Sequence, residues 1–123
     1  MDWKIELIFV PVTDVDRAKE FYVTLGFNAD HDSSPYEGVR FVQLTPPGSG
    51  CSIAIGTGLG SNVEPGTLDV IQVVVADADA ALAQLRDAGV AAEGVDEQDW
   101  GRFVTFADPD GNTWTLQQLP KYD

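Results

Sequence analysis

The chain has 123 residues, of which 44% are hydrophobic and 22% are charged, a composition typical of one ordered globular domain. Its formal net charge of -13 would repel nucleic acid phosphates, and no apolar run is long enough to cross a bilayer, so neither nucleic acid nor a membrane is an expected partner. The N-terminal residues lack a basic segment followed by an apolar one, and Cys51 is the only cysteine. We therefore expect a cytoplasmic protein without an internal disulfide.

The first predicted strand and helix lie between residues 8 and 26. Ile8 and Val10 begin a row of alternating β-branched residues, which predicts a strand. Asp14 predicts the N-terminal cap of a helix, because aspartate accepts hydrogen bonds from the free backbone N–H groups of the first turn. Gly26 predicts the end of the helix, because glycine tolerates a left-handed backbone conformation. Apolar residues at helical spacing between them should cover one face of a sheet.

Shorter extended segments follow the helix. Segments 39–44 and 52–55 are predicted strands, and the turn formers between them predict a tight connection. The polar stretch 28–34 contains the only histidine, His31, and is predicted to be an exposed loop without a role in metal binding.

The second half of the chain repeats the first. Asp77 and Gly89 follow Asp14 and Gly26 at a constant offset of 63 positions, and we expect this register to hold without gaps from the first strand to the last. The repeat predicts a second helix and further strands over 103–106 and 113–119. The acidic segment 93–99 shows no regular burial pattern. The predicted fold class is α+β, a single domain made of two modules, about 1–62 and 63–123.

Two motifs resemble a known family: the strand and helix that run from Val10 through Asp14 to Phe27, and the turn 106–112. They are similar to the vicinal oxygen chelate superfamily, which includes glyoxalase I, extradiol dioxygenases and bleomycin resistance proteins. The resemblance implies two tandem βαβββ modules that form an incomplete barrel, with a ligand in its cup, usually in a homodimer. Fold alone does not transfer an activity.

The resemblance also places metal ligands on the first and last strand of each module. Carried over one position at a time, these places fall on Leu7, Ser52, Val70 and Thr115. None has a side chain that binds a transition metal well, so we expect no metal site and no cofactor.

Alternation of the strands predicts the residues that face the ligand. The predicted set is mostly apolar and uncharged, as is usual for a small organic ligand, and no carboxylate falls on its rows. A loop tryptophan could flank the mouth of the pocket. The predicted ligand-binding residues are Leu7, Phe9, Ser52, Ala54, Val70, Gln72, Trp100, Thr115 and Gln117.

No set of catalytic residues stands out in the sequence, because no histidine is available to activate Ser52 or Cys51. The leading hypothesis is a metal-free protein that binds and sequesters a small molecule, a drug or a metabolite. The alternatives are an enzyme of the superfamily that acts without metal, through Gln72, Thr115 and Gln117, and a glyoxalase-like or dioxygenase-like metalloenzyme with ligands elsewhere. A homodimer is expected.

Overall fold

The computed structural model describes residues 1–60 and 62–120. The chain divides into two compact units, Met1–Thr67 and Leu68–Asp123, which we call the first and second modules. Both have the α+β architecture predicted from the sequence: one helix and one mixed, open, four-stranded sheet. Among the described residues, no helix is long and apolar enough to cross a membrane.

The first module contains one helix, α1, and four strands. The elements are β1 (Leu7–Phe9), α1 (Val15–Thr24), β2 (Asn28–Ser33), β3 (Arg40–Thr45) and β4 (Ser52–Thr57). The sheet has the order β1-β4-β3-β2, with β1 parallel to β4 and the other pairs antiparallel.

The second module has the same topology. The elements are β5 (Asp69–Val74), α2 (Ala78–Asp87), β6 (Ala92–Gln98), β7 (Gly101–Ala107) and β8 (Thr113–Gln118). The sheet has the order β5-β8-β7-β6, and β5 is again parallel to its neighbour, β8.

Both helices begin and end where the sequence predicts. Asp14 and Asp77 are the N-caps, and their carboxylates accept from the backbone N–H groups of the third following residues. Gly26 and Gly89 follow the helices with φ angles of 100° and 82°. The local cap signals were therefore sufficient to place α1 and α2.

The helix covers one face of each sheet. The pairs Arg40–Asp16 and Arg102–Asp79 join a strand to the first turn of the helix in the two modules. These contacts mark the helix side, where the largest fully buried strand side chains are Val42, Leu44, Ile55, Val104 and Trp114. Alternate residues point to the opposite face, which we call the open face.

Two strands were missed from the sequence. The stretch 28–34 was predicted to be an exposed loop, and the acidic segment 93–99 was assigned to no helix or strand, but the edge strands β2 and β6 occupy most of them. Every residue of β2 is exposed, so no apolar alternation marks it in the sequence. The ladders with β3 and β7 hold both segments extended.

The prediction of a gap-free repeat was also wrong. The offset of 63 holds for the helix caps, but Ser52 begins β4 and Thr113 begins β8. In the first module the β3–β4 connection is one residue longer than its counterpart, and the β2–β3 hairpin is also one residue longer, which together explain the difference. Consequently Leu7 pairs with Ser52, whereas Thr115 pairs with Gln72. Val70, at φ 92°, lies where the β5–β8 register shifts.

The buried polar side chains of the turn 108–112 are hydrogen-bonded within the second module. The Asp108 carboxylate accepts from the backbone N–H groups of Asp110 and Asn112 and from the Asn112 side chain, at 2.8–3.0 Å. The side-chain amide oxygen of Asn112, Oδ1, accepts a hydrogen bond from the backbone N–H of Leu68 at 3.1 Å. These bonds satisfy a buried carboxylate and a buried amide, which supports the interpretation of this motif as a structural turn.

Candidate functional site

Residues that pair between neighbouring strands form rows across the open face of each sheet. Most of the predicted ligand-binding residues lie in these rows. In the first module, one row contains Phe9, Ala54, Gln43 and His31. In the second module, the row at the same structural position contains Gln72, Thr115, Thr105 and Glu93. Neighbours in such a row are about 4.8 Å apart along the hydrogen-bonding direction.

A hydrogen-bonded polar cluster occupies one end of the first module's open face. The Ser52 hydroxyl lies 2.7 Å from the Thr45 hydroxyl and accepts from Gln43 Nε2 at 3.1 Å. Thr45 also donates to the Asp30 carboxylate. Ser52 is therefore a buried, hydrogen-bonded hydroxyl beside Leu7 rather than a free metal ligand.

The rest of this face carries Phe9 and a small cavity. Phe9 and Ala54 line a space of about 120 Å³, together with Leu59, Val63 and Pro65 from the chain that follows β4. Gly56 is required here, because a Cβ would lie 2.0 Å from the Arg40 carbonyl oxygen. The recess on the open face of the first module is thus small, below the 300–1,000 Å³ of most ligand pockets.

The second module has a larger concavity on its open face, of about 360 Å³. Val70 and Thr115 line it, as do Thr105, Thr113 and Glu93. Its volume lies within the range of small-molecule sites.

Two hydrogen-bonded side-chain amides, those of Gln72 and Gln117, lie beside this concavity. Gln72 Nε2 donates to Gln117 Oε1 at 2.6 Å, and Gln117 Nε2 donates to the Trp100 carbonyl oxygen at 3.0 Å. Trp100 stands in the β6–β7 turn with 61% of its surface exposed. Gly101 leaves room for the Gln117 amide, since a Cβ at this position would lie 2.9 Å from Gln117 Nε2. Both ends of the Gln117 amide are thus engaged within the protein.

Two predictions about this face need correction. His31 is exposed as expected, but it belongs to β2 and faces the open side, because it pairs with Gln43. Carboxylates do occur on the open face: Glu93 pairs with Thr105, and Asp96 pairs with Phe103. Both errors arose because the segments that form β2 and β6 were not recognised as strands. Alternation along β3 and β7 was sufficient to place Gln43 and Thr105, although neither was included in the predicted site.

Charged side chains are paired mainly on the helix side. Asp32 accepts from Arg40 and Lys19, and hydrogen bonds, first from Arg40 and then from Lys19, hold the pKa of its carboxyl far below the usual range. Arg102 similarly lowers the pKa of Asp79. These ion pairs fix the helix to the sheet and are remote from the open face.

The residues present do not fit a metal ion. The four places carried over from the superfamily hold two aliphatic side chains and two hydroxyls, and in the observed register Thr113, another hydroxyl residue, is the counterpart of Ser52. Over residues 1–60 and 62–120, no group of three or more His, Cys, Asp or Glu side chains could hold a metal. Cys51 is half-buried, and its Sγ lies 3.5 Å from the Ser52 carbonyl oxygen.

Solved structures with the same fold cover nearly the whole chain. An antibiotic binding protein, TnmS3, from Streptomyces sp. CB03234 is 36% identical, with 97% of this chain and 98% of that chain covered and a TM-score of 0.87. A glyoxalase/bleomycin resistance protein from the same strain is 37% identical, with 94% and 100% covered and a TM-score of 0.81.

A third structure comes from Sphaerobacter thermophilus DSM 20745. This member of the glyoxalase/bleomycin resistance protein/dioxygenase superfamily is 30% identical over 95% of this chain and 98% of that chain, with a TM-score of 0.83. A search of curated proteins found no match. The family model for the Glyoxalase/Bleomycin resistance protein/Dioxygenase superfamily matches residues 4–116. The chain therefore belongs to the glyoxalase/bleomycin resistance protein/dioxygenase superfamily.

Proposed function

We propose that the chain is a small-molecule-binding protein that holds its ligand without a metal ion and thereby sequesters a drug or a metabolite. The observation that carries the proposal is the donor set at the four superfamily metal places: Leu7, Ser52, Val70 and Thr115. Aliphatic and hydroxyl side chains bind Zn²⁺, Fe²⁺ or Ni²⁺ poorly. The likeness to the antibiotic binding protein TnmS3 supports a binding role.

The proposed ligand is small and largely apolar or aromatic. Phe9 and Trp100 are 47% and 61% exposed, so both rings are accessible to a ligand. Gln117 supports binding indirectly, because its amide holds the Trp100 carbonyl group. Gln72 Oε1 accepts no hydrogen bond within the described residues and is the amide oxygen left for a polar atom of the ligand.

The proposed assembly is a homodimer. β1 and β5 are edge strands, and an unpaired edge with exposed apolar residues is commonly covered by another chain. Phe9, Val70 and Val74, which are 47%, 51% and 61% exposed, lie on these strands. Light scattering should give twice the chain mass, and a monomer mass at all working concentrations would contradict the proposal. A cytoplasmic location is proposed on the absence of any disulfide-forming pair.

A compound screen by thermal shift, followed by titration calorimetry, tests the binding role. Trp100→Ala should weaken a confirmed ligand about tenfold, since an aromatic contact of this kind contributes about 1.4 kcal/mol. Trp3→Ala is the matched control, because it also removes an exposed tryptophan, one that is 83% exposed and precedes β1. Equal affinity of the parent and Trp100→Ala would refute this placement of the site.

The fate of the ligand separates a binding protein from an enzyme. After overnight incubation with the protein, the ligand is extracted and its mass is measured. We expect the compound to be recovered unchanged in full. Protein-dependent conversion to a product would instead support a superfamily enzyme that acts on a small organic substrate.

A further inference from the structure

The open face of the second module carries a polar row that ends in a carboxylate. Glu93 pairs with Thr105, Thr105 with Thr115, and Thr115 with Gln72. Two hydroxyls and one carboxylate therefore lie in one line across three neighbouring strands. Glu93, Thr105 and Thr115 also line the 360 Å³ concavity, so the row belongs to a space that is large enough for a small molecule.

Glu93 differs in its pairing from the acidic residues that follow it on β6. Its carboxylate makes no hydrogen bond or ion pair with any residue in ranges 1–60 and 62–120. By contrast, Glu97 and Asp79 are paired with Arg102, and Asp96 accepts from Gln98. Glu93 is thus free to pair with a ligand.

The surroundings of Glu93 are apolar or neutral. Val70, Ala91 and Ala107 line the same concavity, and no lysine, arginine or histidine does. An ammonium group placed here would meet a negative charge and hydroxyl acceptors, while its apolar body would rest on aliphatic side chains. A carboxylate ligand would meet repulsion from Glu93.

The first module lacks this feature. The row at the same structural position contains Phe9, Ala54, Gln43 and His31, so a histidine stands where the second module has Glu93. The two modules share a backbone topology but differ in the charge of this row. The carboxylate in this row is therefore a feature of the second module.

We propose that the concavity of the second module binds an organic cation, a protonated amine on an apolar body, through an ion pair with Glu93. The Thr105 and Thr115 hydroxyl oxygens accept hydrogen bonds from the remaining N–H groups of the amine. This inference rests on the proposed binding function and specifies the charge of its ligand. It adds a polar anchor to the binding role proposed above.

Three matched probes test the inference by titration calorimetry at low salt: 1-naphthylmethylammonium, the neutral alcohol 1-naphthalenemethanol, and 1-naphthylacetate. The parent should bind the ammonium compound about fivefold more tightly than the alcohol, as expected for a favourable exposed ion pair, and should bind the carboxylate most weakly. Glu93→Gln should abolish the preference for the cation and leave the affinity for the alcohol unchanged. In 1 M salt the preference should shrink, because the Debye length falls to about 3 Å.

Glu20→Gln is the matched control. It removes the same charge from an exposed position on α1 of the first module, so it lowers the overall negative charge without touching the concavity. If Glu20→Gln and Glu93→Gln reduce the preference equally, the effect belongs to the general field of the protein and the inference is wrong. Equal binding of the ammonium compound and the alcohol overturns the inference but leaves the binding function intact. Failure of all three probes to bind at millimolar concentration overturns the inference and also counts against this concavity as the binding site.

Discussion

Two adjacent glutamines on β8 offer a direct separation of binding from stability. Gln117 faces the open side and holds Gln72 and the Trp100 carbonyl group. Gln118 faces the helix side, where its Oε1 accepts from the backbone N–H of Ala78 at 2.8 Å. The same substitution, glutamine to leucine, can therefore be made on either face of one strand.

The expected costs follow from the burial of the partners. A hydrogen bond contributes about 0.5–1.5 kcal/mol net, and water can replace both partners of Gln117 because Gln72 and Trp100 are exposed, so Gln117→Leu should reduce the free energy of unfolding by about 1 kcal/mol. Ala78 is fully buried, and its N–H at the start of α2 would lose its acceptor. Gln118→Leu should therefore cost about 2 kcal/mol.

Binding should respond in the opposite order. Gln117→Leu releases the turn that carries Trp100, and a loss of about 1 kcal/mol corresponds to about fivefold weaker binding of the ligand found in the compound screen. Gln118→Leu should leave that affinity unchanged. Urea unfolding and titration calorimetry measure the two quantities. The reasoning is refuted if Gln118→Leu weakens binding as much as Gln117→Leu, or if neither variant changes it.

Three further predictions concern the fold. Gly89→Ala should reduce the free energy of unfolding by about 1 kcal/mol, because φ is 82° at this position even though a Cβ would meet no other atom. Gly50→Ala is the control, since a Cβ also has space there and φ is not positive. Equal urea midpoints for the two variants would contradict this. Val70→Gly should cost less than Val74→Gly on the same strand, since glycine relieves the φ of 92°, and the reverse order of unfolding free energies would contradict it. Asp32→Asn should reduce the free energy of unfolding by about 1 kcal/mol at pH 7. Because the pKa of Asp32 is lowered in the folded state, the difference between parent and variant is complete above pH about 4 and is lost as the pH falls from there towards the lowered pKa. A difference that stays constant in acid would contradict the ion pairing.

Local signals in the sequence were sufficient for the helices and the central strands. Asp14, Gly26 and their counterparts 63 positions later act through their own backbone, so their effect can be read from a few residues. β2 and β6 could not be found in this way. Their residues are polar and mostly exposed, and only pairing with β3 and β7 makes them strands.

The candidate site was predicted in part for the same reason. Alternation placed Gln72, Thr115 and Gln117 on one face, and the Gln72–Gln117 bond places the two amides together. It did not reveal that the amides satisfy each other, because that depends on a register shift at Val70. Glu93 was missed because it lies on a strand that has no apolar pattern.

The most direct test of metal-free binding combines elemental analysis with a binding measurement on the same sample. Freshly purified protein is divided, one half is treated with a chelator, and both halves are titrated with the ligand found in the compound screen. The donor set of Leu7, Ser52, Val70 and Thr115 predicts far less than one Ni, Zn, Fe or Mn per chain and the same affinity in both halves. Close to one of these metals per chain, together with loss of binding after chelation, would contradict the proposed function.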